Sequence, residues 1–578
     1  MSSPAPPTAA PASPWWRDAV IYQVYPRSWA DADGDGVGDL PGITSRLEHL
    51  VDLGVDAVWL SPFYASPQHD AGYDVSDFRA VDPLFGSLED ADAMIARAHD
   101  LGLRVVVDVV PNHTSSEHEW FRAAIADGLG SAAAARYVVR PGRGPDGEEP
   151  PNNWLSNFGG RAWSPWPGET NGELHRHWYL HLFDATQPDL DWTNPEVHDE
   201  LDDVLRFWLD RGVDGFRIDV AHGMVKAEGL PDADLSIDPN VDPTGDLPMW
   251  DQPGVHDVFR RWRRLVDEYG PSDSRWADDG DRILCAEAWV EPAESLARYV
   301  RPDELHQSFN FAFLLSPWIA PELRAVIART LRTAEDVGAP QTWVLSNHDV
   351  VRHASRLGYP QLRGRAPVTG VGPGDPQPDA VLGLRRARAA TTLMLALPGS
   401  AYLYQGEELG LPEATLIPDD VRQDPTWERS GHTRRGRDGC RVPVPWTDSG
   451  PSLGFGPAGA PWLPQPPEYA DLAPTRQRGR PDSTLELYRT LLRLRRELGL
   501  GRRRLEWIDH DSPDVLALRL SADGADSAVD AASEEVVVLA NTGPDEVPLP
   551  PDVRVLVSSA TIEAGTLPPD TAAWVRRS

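Results

Sequence analysis

Residues 215–220 read GFRIDV, a short apolar run that carries a cation and a carboxylate two positions apart. Side chains in a strand alternate between faces, so Arg217 and Asp219 share one side and Ile218 takes the other. Three further runs end in the same kind of residue. RVVVDVV (104–110) carries Asp108 and leads into Pro111, Asn112 and His113; ILCAEA (283–288) carries Glu287; TWVLSN (342–347) leads into Asn347, His348 and Asp349. Acids, two histidines and an arginine could bind a metal or cleave a glycoside. A metal site asks for closely spaced His and carboxylate ligands, and none of these four runs supplies them. Glycoside cleavage asks for two carboxylates across the bond: one attacks the anomeric carbon or supports water, the other protonates the leaving oxygen. Asp219 and Glu287, from successive strands, suit that demand.

The elements that must position these groups are strands alternating with helices. The strand candidates are 19–26, 57–62, 104–110, 215–220, 283–288, 306–311, 342–347 and 400–406. Amphipathic stretches lie between them, such as SLEDADAMIARAHDLG (87–102) and EVHDELDDVLRFWLDRG (196–212), each ending at a glycine suited to a C-cap. Repeated strand–helix alternation predicts parallel strands with crossover helices. Eight strands favour a closed α/β barrel, the (β/α)8 or TIM barrel, with a doubly wound open sheet as the alternative. In such a barrel functional groups gather at the C-terminal ends of the strands, where Asp108, Arg217, Asp219, Glu287 and Asp349 fall.

The alternation breaks in identifiable places. Residues 113–182 are rich in Trp, Asn, Gly and Pro, too long for an ordinary loop, and read as a small domain inserted after the third strand. Segments 356–380 and 411–480 read as long loops. After the helix at 483–498 the pattern becomes alternating strands, DVLALRLS, EEVVVLAN and VRVLVSS, which predicts a C-terminal antiparallel β domain from 501 to 578. The barrel then comprises 15–112 and 183–500, and residues 1–14 form a Pro/Ala/Ser tail.

Composition narrows the partners. The 578 residues include 22 Trp and 41% hydrophobic residues, enough for large cores, which excludes a disordered chain. The formal net charge of −35 argues against nucleic acid. Cys285 and Cys440 are too few for a disulfide framework or a cysteine metal site, so two reduced thiols are expected. The N-terminal tail lacks the apolar region of a signal peptide, and no segment is apolar for long enough to cross a bilayer. The expectation is a cytoplasmic monomer or homodimer with no organic cofactor, no nucleic-acid or membrane partner, and a small neutral or cationic substrate. Lys226, the one lysine, is given no role.

These motifs resemble glycoside hydrolase family 13, the α-amylase family. DVVPNH, GFRIDVAH, EAW and SNHD follow the order of its signature segments; QPDLDW (187–192) and YLYQGEELG (402–410) resemble two more. The resemblance runs from about Trp15 to the C-terminus. It implies that Asp219 is the nucleophile of a retaining reaction, Glu287 the acid/base, and Asp349 a third carboxylate that holds sugar hydroxyls. A retaining pair stands about 5–5.5 Å apart. Asp70 and Tyr73, in HDAGYD, match the first sugar site, with Tyr73 stacked on the ring. His113 and His348 match histidines that bond hydroxyls, Phe183 and Gln187 match that site's wall, and Arg217 sits beside the nucleophile. RDGCRVPVPW (437–446) resembles a segment of the exo-acting α-glucosidase branch, shared with oligo-1,6-glucosidases and trehalose synthases. There Arg441 is expected to pair with Asp70 and clamp a terminal glucose.

The resemblance therefore implies an exo-acting α-glucosidase on maltose-like oligosaccharides. Val220, the residue after the nucleophile, is of the type found in many α-1,6 enzymes, so isomaltose-type cleavage stays open, as do glucosyl transfer and isomerisation. A catalytically inactive binding relative would lack the three carboxylates that this chain keeps. Finally, DADGDGVGD (31–39) sets Asp31, Asp33, Asp35 and Asp39 at positions 1, 3, 5 and 9 of a calcium-type loop, with the Val37 carbonyl available. Gly42 stands where an EF-hand needs Glu, so an EF-hand is rejected. A structural Ca²⁺, with Mg²⁺ as the alternative, is expected there; a solvated acidic turn is the competing reading.

Overall fold

The protein is described from a computed structural model covering residues 14–168, 176–234, 247–271, 276, 281–361, 369–457, 459–522 and 535–577. The N-terminal tail, apart from residue 14, lies outside the described residues. Eight parallel strands follow in chain order: β1 (Val20–Val24), β2 (Ala57–Leu60), β3 (Arg104–Val109), β4 (Gly215–Ile218), β5 (Ile283–Ala286), β6 (Gln307–Ser308), β7 (Thr342–Val344) and β8 (Ser400–Tyr404). Each pairs with its neighbour from β1 to β6, β7 pairs with β8, and β8 returns to β1. The remaining gap is narrowed by a parallel bridge between Phe309 and Thr342 and by the Asn310 N–H, which donates to the Thr342 carbonyl at 3.1 Å. A closed barrel is thus the fold, and the open doubly wound sheet is excluded.

All eight expected strands are present, several of them shorter than their sequence run. The sixth is the clearest case. The run 306–311 yields only two paired residues because Asn310 turns its side chain to accept from the Phe313 N–H at 3.0 Å and starts a helix, Phe311–Leu315. Strand parity sorts the core. Ile21, Trp59, Val106, Cys285 and Tyr402 fill the interior in one cluster, whereas Tyr22, Val58, Val105, Val107, Phe216 and Leu284 pack outward against the helices. Asp108, Arg217, Asp219 and Glu287 continue the inward parity of their strands. The crossover helices run out at the expected glycines, Gly102 and Gly212, with φ of 81° and 100°, and both are also capped at their starts. Leu88–Asp100 has a capping box between Ser87 and Asp90, and Pro195–Asp210 is capped by Asn194 with proline at its first position.

The insertion after β3 contains a helix, Glu119–Asp127, and a three-stranded antiparallel sheet of Val139–Pro141, His177–Leu180 and Trp163–Pro165. It is tied back to the barrel by bridges His113–Asp189 and Tyr137–Leu190. The C-terminal domain is a five-stranded antiparallel sheet from Arg504–Ile508 to Thr571–Arg577, with a small two-stranded sheet beside it. Trp574 docks it on the barrel helix Ala380–Met394: the indole is fully buried and its Nε1–H donates to the Thr392 carbonyl at 2.8 Å. Removing so large a buried ring costs about 3–5 kcal/mol. Trp574→Ala is therefore expected to lower unfolding stability by that amount in a denaturant titration, and a loss under about 1 kcal/mol would contradict the docking role.

Candidate active site

The inward ends of β3, β4 and β5 converge on one guanidinium. Arg217, 1% exposed, places Nη1 at 2.8 Å from Asp108 and 2.6 Å from Asp219, and Nη2 at 3.8 Å from Glu287. Its face lies over the Trp59 ring at 5.2 Å from the centroid. Strand register enforces this, since Arg217 stands level with Asp108 on β3 and Cys285 on β5. Asp108 also accepts from the Tyr73 hydroxyl at 3.0 Å. It is fully buried, and burial pushes its carboxyl up to about 6 although Arg217 opposes this.

Above this floor lies a cavity of about 270 Å³ lined by Asp219, Glu287, Asp349, Asp70, Tyr73, His113 and Phe183, together with Val220, His222, Trp250, Trp289, Arg434 and Arg437. Burial raises the carboxyls of both Asp219 and Glu287. Burial raises Asp219 the more strongly, and the guanidinium, closer to Asp219 than to Glu287, works against that rise and favours negative charge on Asp219. Asp349 behaves differently. Burial works against its charge, but the guanidiniums of Arg437 at 3.1 Å and Arg441 at 3.0 Å outweigh that and hold it well below the usual carboxylate range, with the His348 ring beside it at 3.3 Å. Burial keeps His348 neutral and pushes His113 down to about 4, so both imidazoles serve as hydrogen-bonding groups rather than charges.

Arg217, Gln187, His348 and Arg441 do not line the cavity; they hold residues that do. Gln187 Nε2 lies 3.2 Å from Asp70 and 3.1 Å from His113. His348 stacks flat on Tyr73, with ring centroids 5.2 Å apart. The expected pair between Arg441 and Asp70 is not formed. Arg437 takes that place, with Nη2 at 2.6 Å from Asp70, while its Nη1 reaches Asp349 and its Nε holds Asp424. The single 3₁₀ turn Asp438–Cys440 separates the two arginines. Arg437 enters it facing the cavity, whereas Arg441 leaves it beneath the end of β7, where Nε donates to the His348 carbonyl at 2.8 Å.

Sequence reasoning singled out Val220 but passed over the rest of its wall, His222, Trp250 and Trp289. Only its position next to Asp219 and Glu287 could have signalled it. The single lysine has a defined place too. Lys226 Nζ lies 2.8 Å from Asp189 and donates to Asn112 Oδ1 at 2.7 Å and to the Gly223 carbonyl at 2.6 Å. It thereby ties the returning end of the insertion to the loop that follows Asp219.

In the acidic loop, carboxylate oxygens of Asp31, Asp33 and Asp39 lie within 4.8 Å of one another. Asp35 stays outside that group, exposed, with its carboxylate accepting the Val37 N–H at 2.7 Å. Asp31 and Asp39 also accept backbone N–H groups, and Asp39 caps the helix Leu40–Leu53. Three hard oxygen donors at this spacing fit Ca²⁺ or Mg²⁺.

A parallel barrel with an acid-lined pocket at its C-terminal mouth and an antiparallel insertion after its third strand is the architecture of a barrel glycoside hydrolase. Residues 23–500 match the family model for the α-amylase catalytic domain, and the chain belongs to that family. It is 40% identical over 493 residues to a probable α-glucosidase of Rhizobium meliloti (strain 1021), covering 83% of this chain and 82% of that one. It is 32% identical over 532 residues to an oligo-1,6-glucosidase of Halalkalibacterium halodurans, covering 88% and 89% respectively. Among solved structures, the α-glucosyl transfer enzyme XgtA superposes with a TM-score of 0.81 at 35% identity, over 98% of this chain and 100% of that one.

The exchange of arginines is open to test. A double-mutant cycle on unfolding free energy should couple Asp70→Asn with Arg437→Met by about 0.5–3 kcal/mol, and Asp70→Asn with Arg441→Met by less than about 0.5 kcal/mol. Equal couplings would contradict the assignment.

Proposed function

We propose that this chain is a retaining, exo-acting α-glucosidase that releases glucose from the non-reducing end of short maltose-like α-glucosides. The observation that carries the reading is the single guanidinium spanning Asp219 at 2.6 Å and Glu287 at 3.8 Å, which brings two carboxyls together at one cavity and favours the ionised form of the nearer one, Asp219. Asp219 Oδ1 is held by Arg217. Its other oxygen attacks the anomeric carbon as the glycosidic C–O bond breaks, and Glu287 passes its proton to the leaving oxygen. Water then gives a proton to Glu287 and its oxygen to the anomeric carbon, and Asp219 departs. Asp349, held ionised, receives sugar hydroxyls, as does His113, while His348 backs the Tyr73 ring from behind the wall. Tyr73 offers a ring face, and the Asp70–Arg437 pair closes the pocket behind one glucose. The probable α-glucosidase of Rhizobium meliloti supports this reading.

A second reading, α-1,6 cleavage, is favoured by Val220 after the nucleophile and by the oligo-1,6-glucosidase relative. A sugar hydroxyl in place of water in the second step gives transfer, as the name of XgtA describes. Relative rates on maltose, isomaltose and sucrose separate these outcomes. For the main reading, proton NMR of the first turnovers on 4-nitrophenyl α-glucoside, whose leaving group is not a sugar, should show α-glucose as the first-formed product, and Asp219→Asn should abolish release. First-formed β-glucose would overturn the retaining mechanism. Glu287 must be protonated for the first step, and burial raises its carboxyl above the ordinary glutamate value. The alkaline limb of kcat/KM is thus expected at a higher pH than an exposed glutamate would give, and Glu287→Gln should erase it.

We also propose a structural Ca²⁺, or Mg²⁺, on Asp31, Asp33 and Asp39, none of which lines the cavity. EDTA should lower the melting temperature and Ca²⁺ should restore it; in Asp31→Asn neither reagent should move it. An EDTA effect that survives in Asp31→Asn would place the cation elsewhere. Both cysteines are buried free thiols, which supports a reducing, cytoplasmic setting, and no helix among the described residues is long and apolar enough to cross a membrane.

A further inference from the structure

Val220 follows Asp219 and has φ of 45°, in the left-handed region where a β-branched residue is a true outlier. Two features hold it there. The Gly223 N–H donates to the Val220 carbonyl at 2.9 Å and closes a turn. The Val220 side chain is packed into an apolar cluster with Leu182, Met249 and Trp250. Gly223 is what lets Trp250 close in: a Cβ there would stand 2.5 Å from the Trp250 ring and 2.6 Å from Val220 Cγ1. The unusual backbone has a directional result. The Val220 N–H donates to Glu287 Oε2 at 2.7 Å, and the next amide, Ala221, donates to the Glu287 main-chain carbonyl at 2.9 Å. The turn after one carboxylate is thereby bonded to both the side chain and the backbone of the other.

We propose that Val220 is a positioning residue for proton delivery: its left-handed backbone, wedged by Trp250, aims an N–H at Glu287 and fixes where that carboxyl stands relative to the leaving oxygen. The proposal rests on the assignment of Glu287 as acid/base. Arg217 and Asp219 face that carboxyl from β4, Asp108 faces it from β3, and Asp349 from beyond β7. Burial keeps the proton on Glu287, Arg217 works against it, Asp349 reinforces it, and the Val220 N–H favours the ionised form. A group that gives a proton in one step and takes one in the next needs both pulls. Val220 and Trp250 also line the cavity, so a leaving group that presses on that wall presses on the residue that aims the acid.

The test uses two substrates that differ in their need for a proton: maltose, whose leaving alkoxide requires one, and α-glucosyl fluoride, whose fluoride departs without full protonation. Val220→Gly frees the backbone to leave the left-handed region. It should lower kcat/KM on maltose by about 10²-fold while changing it by less than about 3-fold on the fluoride, in line with the loss of general-acid assistance. The alkaline limb on maltose should move to higher pH, because an N–H no longer aimed at Glu287 stops favouring the carboxylate. Val220→Thr, isosteric and β-branched, should keep the wild-type ratio of the two substrates and the wild-type limb. Activity on the fluoride reports that the variant is folded. Equal losses on both substrates, or an unmoved limb, would overturn the positioning role and leave Val220 a packing residue. A wild-type enzyme that releases glucose from neither compound would instead sink the glycosidase assignment, and this proposal with it.

Discussion

One buried cation organises the mouth of the barrel. Arg217 is almost fully enclosed, and an enclosed charge is tolerated only when it is paired and hydrogen-bonded. Its partners come from three strands, Asp108 on β3, Asp219 just past β4 and Glu287 just past β5, so the ends of those strands must keep register for the charge to be compensated at all. A lysine would not serve, because its point charge lacks the planar fork that meets two carboxylates from one nitrogen and approaches a third with another. The Trp59 ring beneath excludes water on the remaining side. Each carboxylate that keeps Arg217 charged also has its own charge state set by it.

The second half of the pocket comes from loops, and there too guanidiniums do the joining. Arg437 connects Asp70, Asp349 and Asp424, which come from three separate loops of the chain. Burial nevertheless pushes Asp70 up to about 6, whereas Asp424, despite burial, is held down to about 2 by Arg437 and its neighbours. The loops therefore reach their places partly because charges that cannot remain solvated find partners.

Much of this was legible in the residue order. Strand alternation put Arg217 and Asp219 on one side, and the barrel's habit of placing function at strand ends brought Asp108, Arg217, Asp219, Glu287 and Asp349 to one rim from residue order alone. What stayed illegible lies where periodicity carries no direction. Arg437 and Arg441 are four residues apart in an irregular loop, and nothing in RDGCR says which one turns toward Asp70. Neither does the letter sequence reveal a left-handed valine, because Val220 packs in a cluster with Leu182, Met249 and Trp250, brought from distant segments. The sixth strand shows the opposite error, in which an apolar run looked longer than the pairing it could sustain once Asn310 became a cap.

Lys226 has a consequence beyond its three bonds. The chain has no other lysine, and this one is enclosed between Asp189, Asn112 and Gly223. Reducing sugars damage proteins chiefly when their open-chain aldehyde condenses with an exposed ε-amine to form a Schiff base. The outer surface of this molecule, cationic through arginine alone, has no such amine to offer, so long residence in concentrated sugar would leave its side-chain amines unglycated.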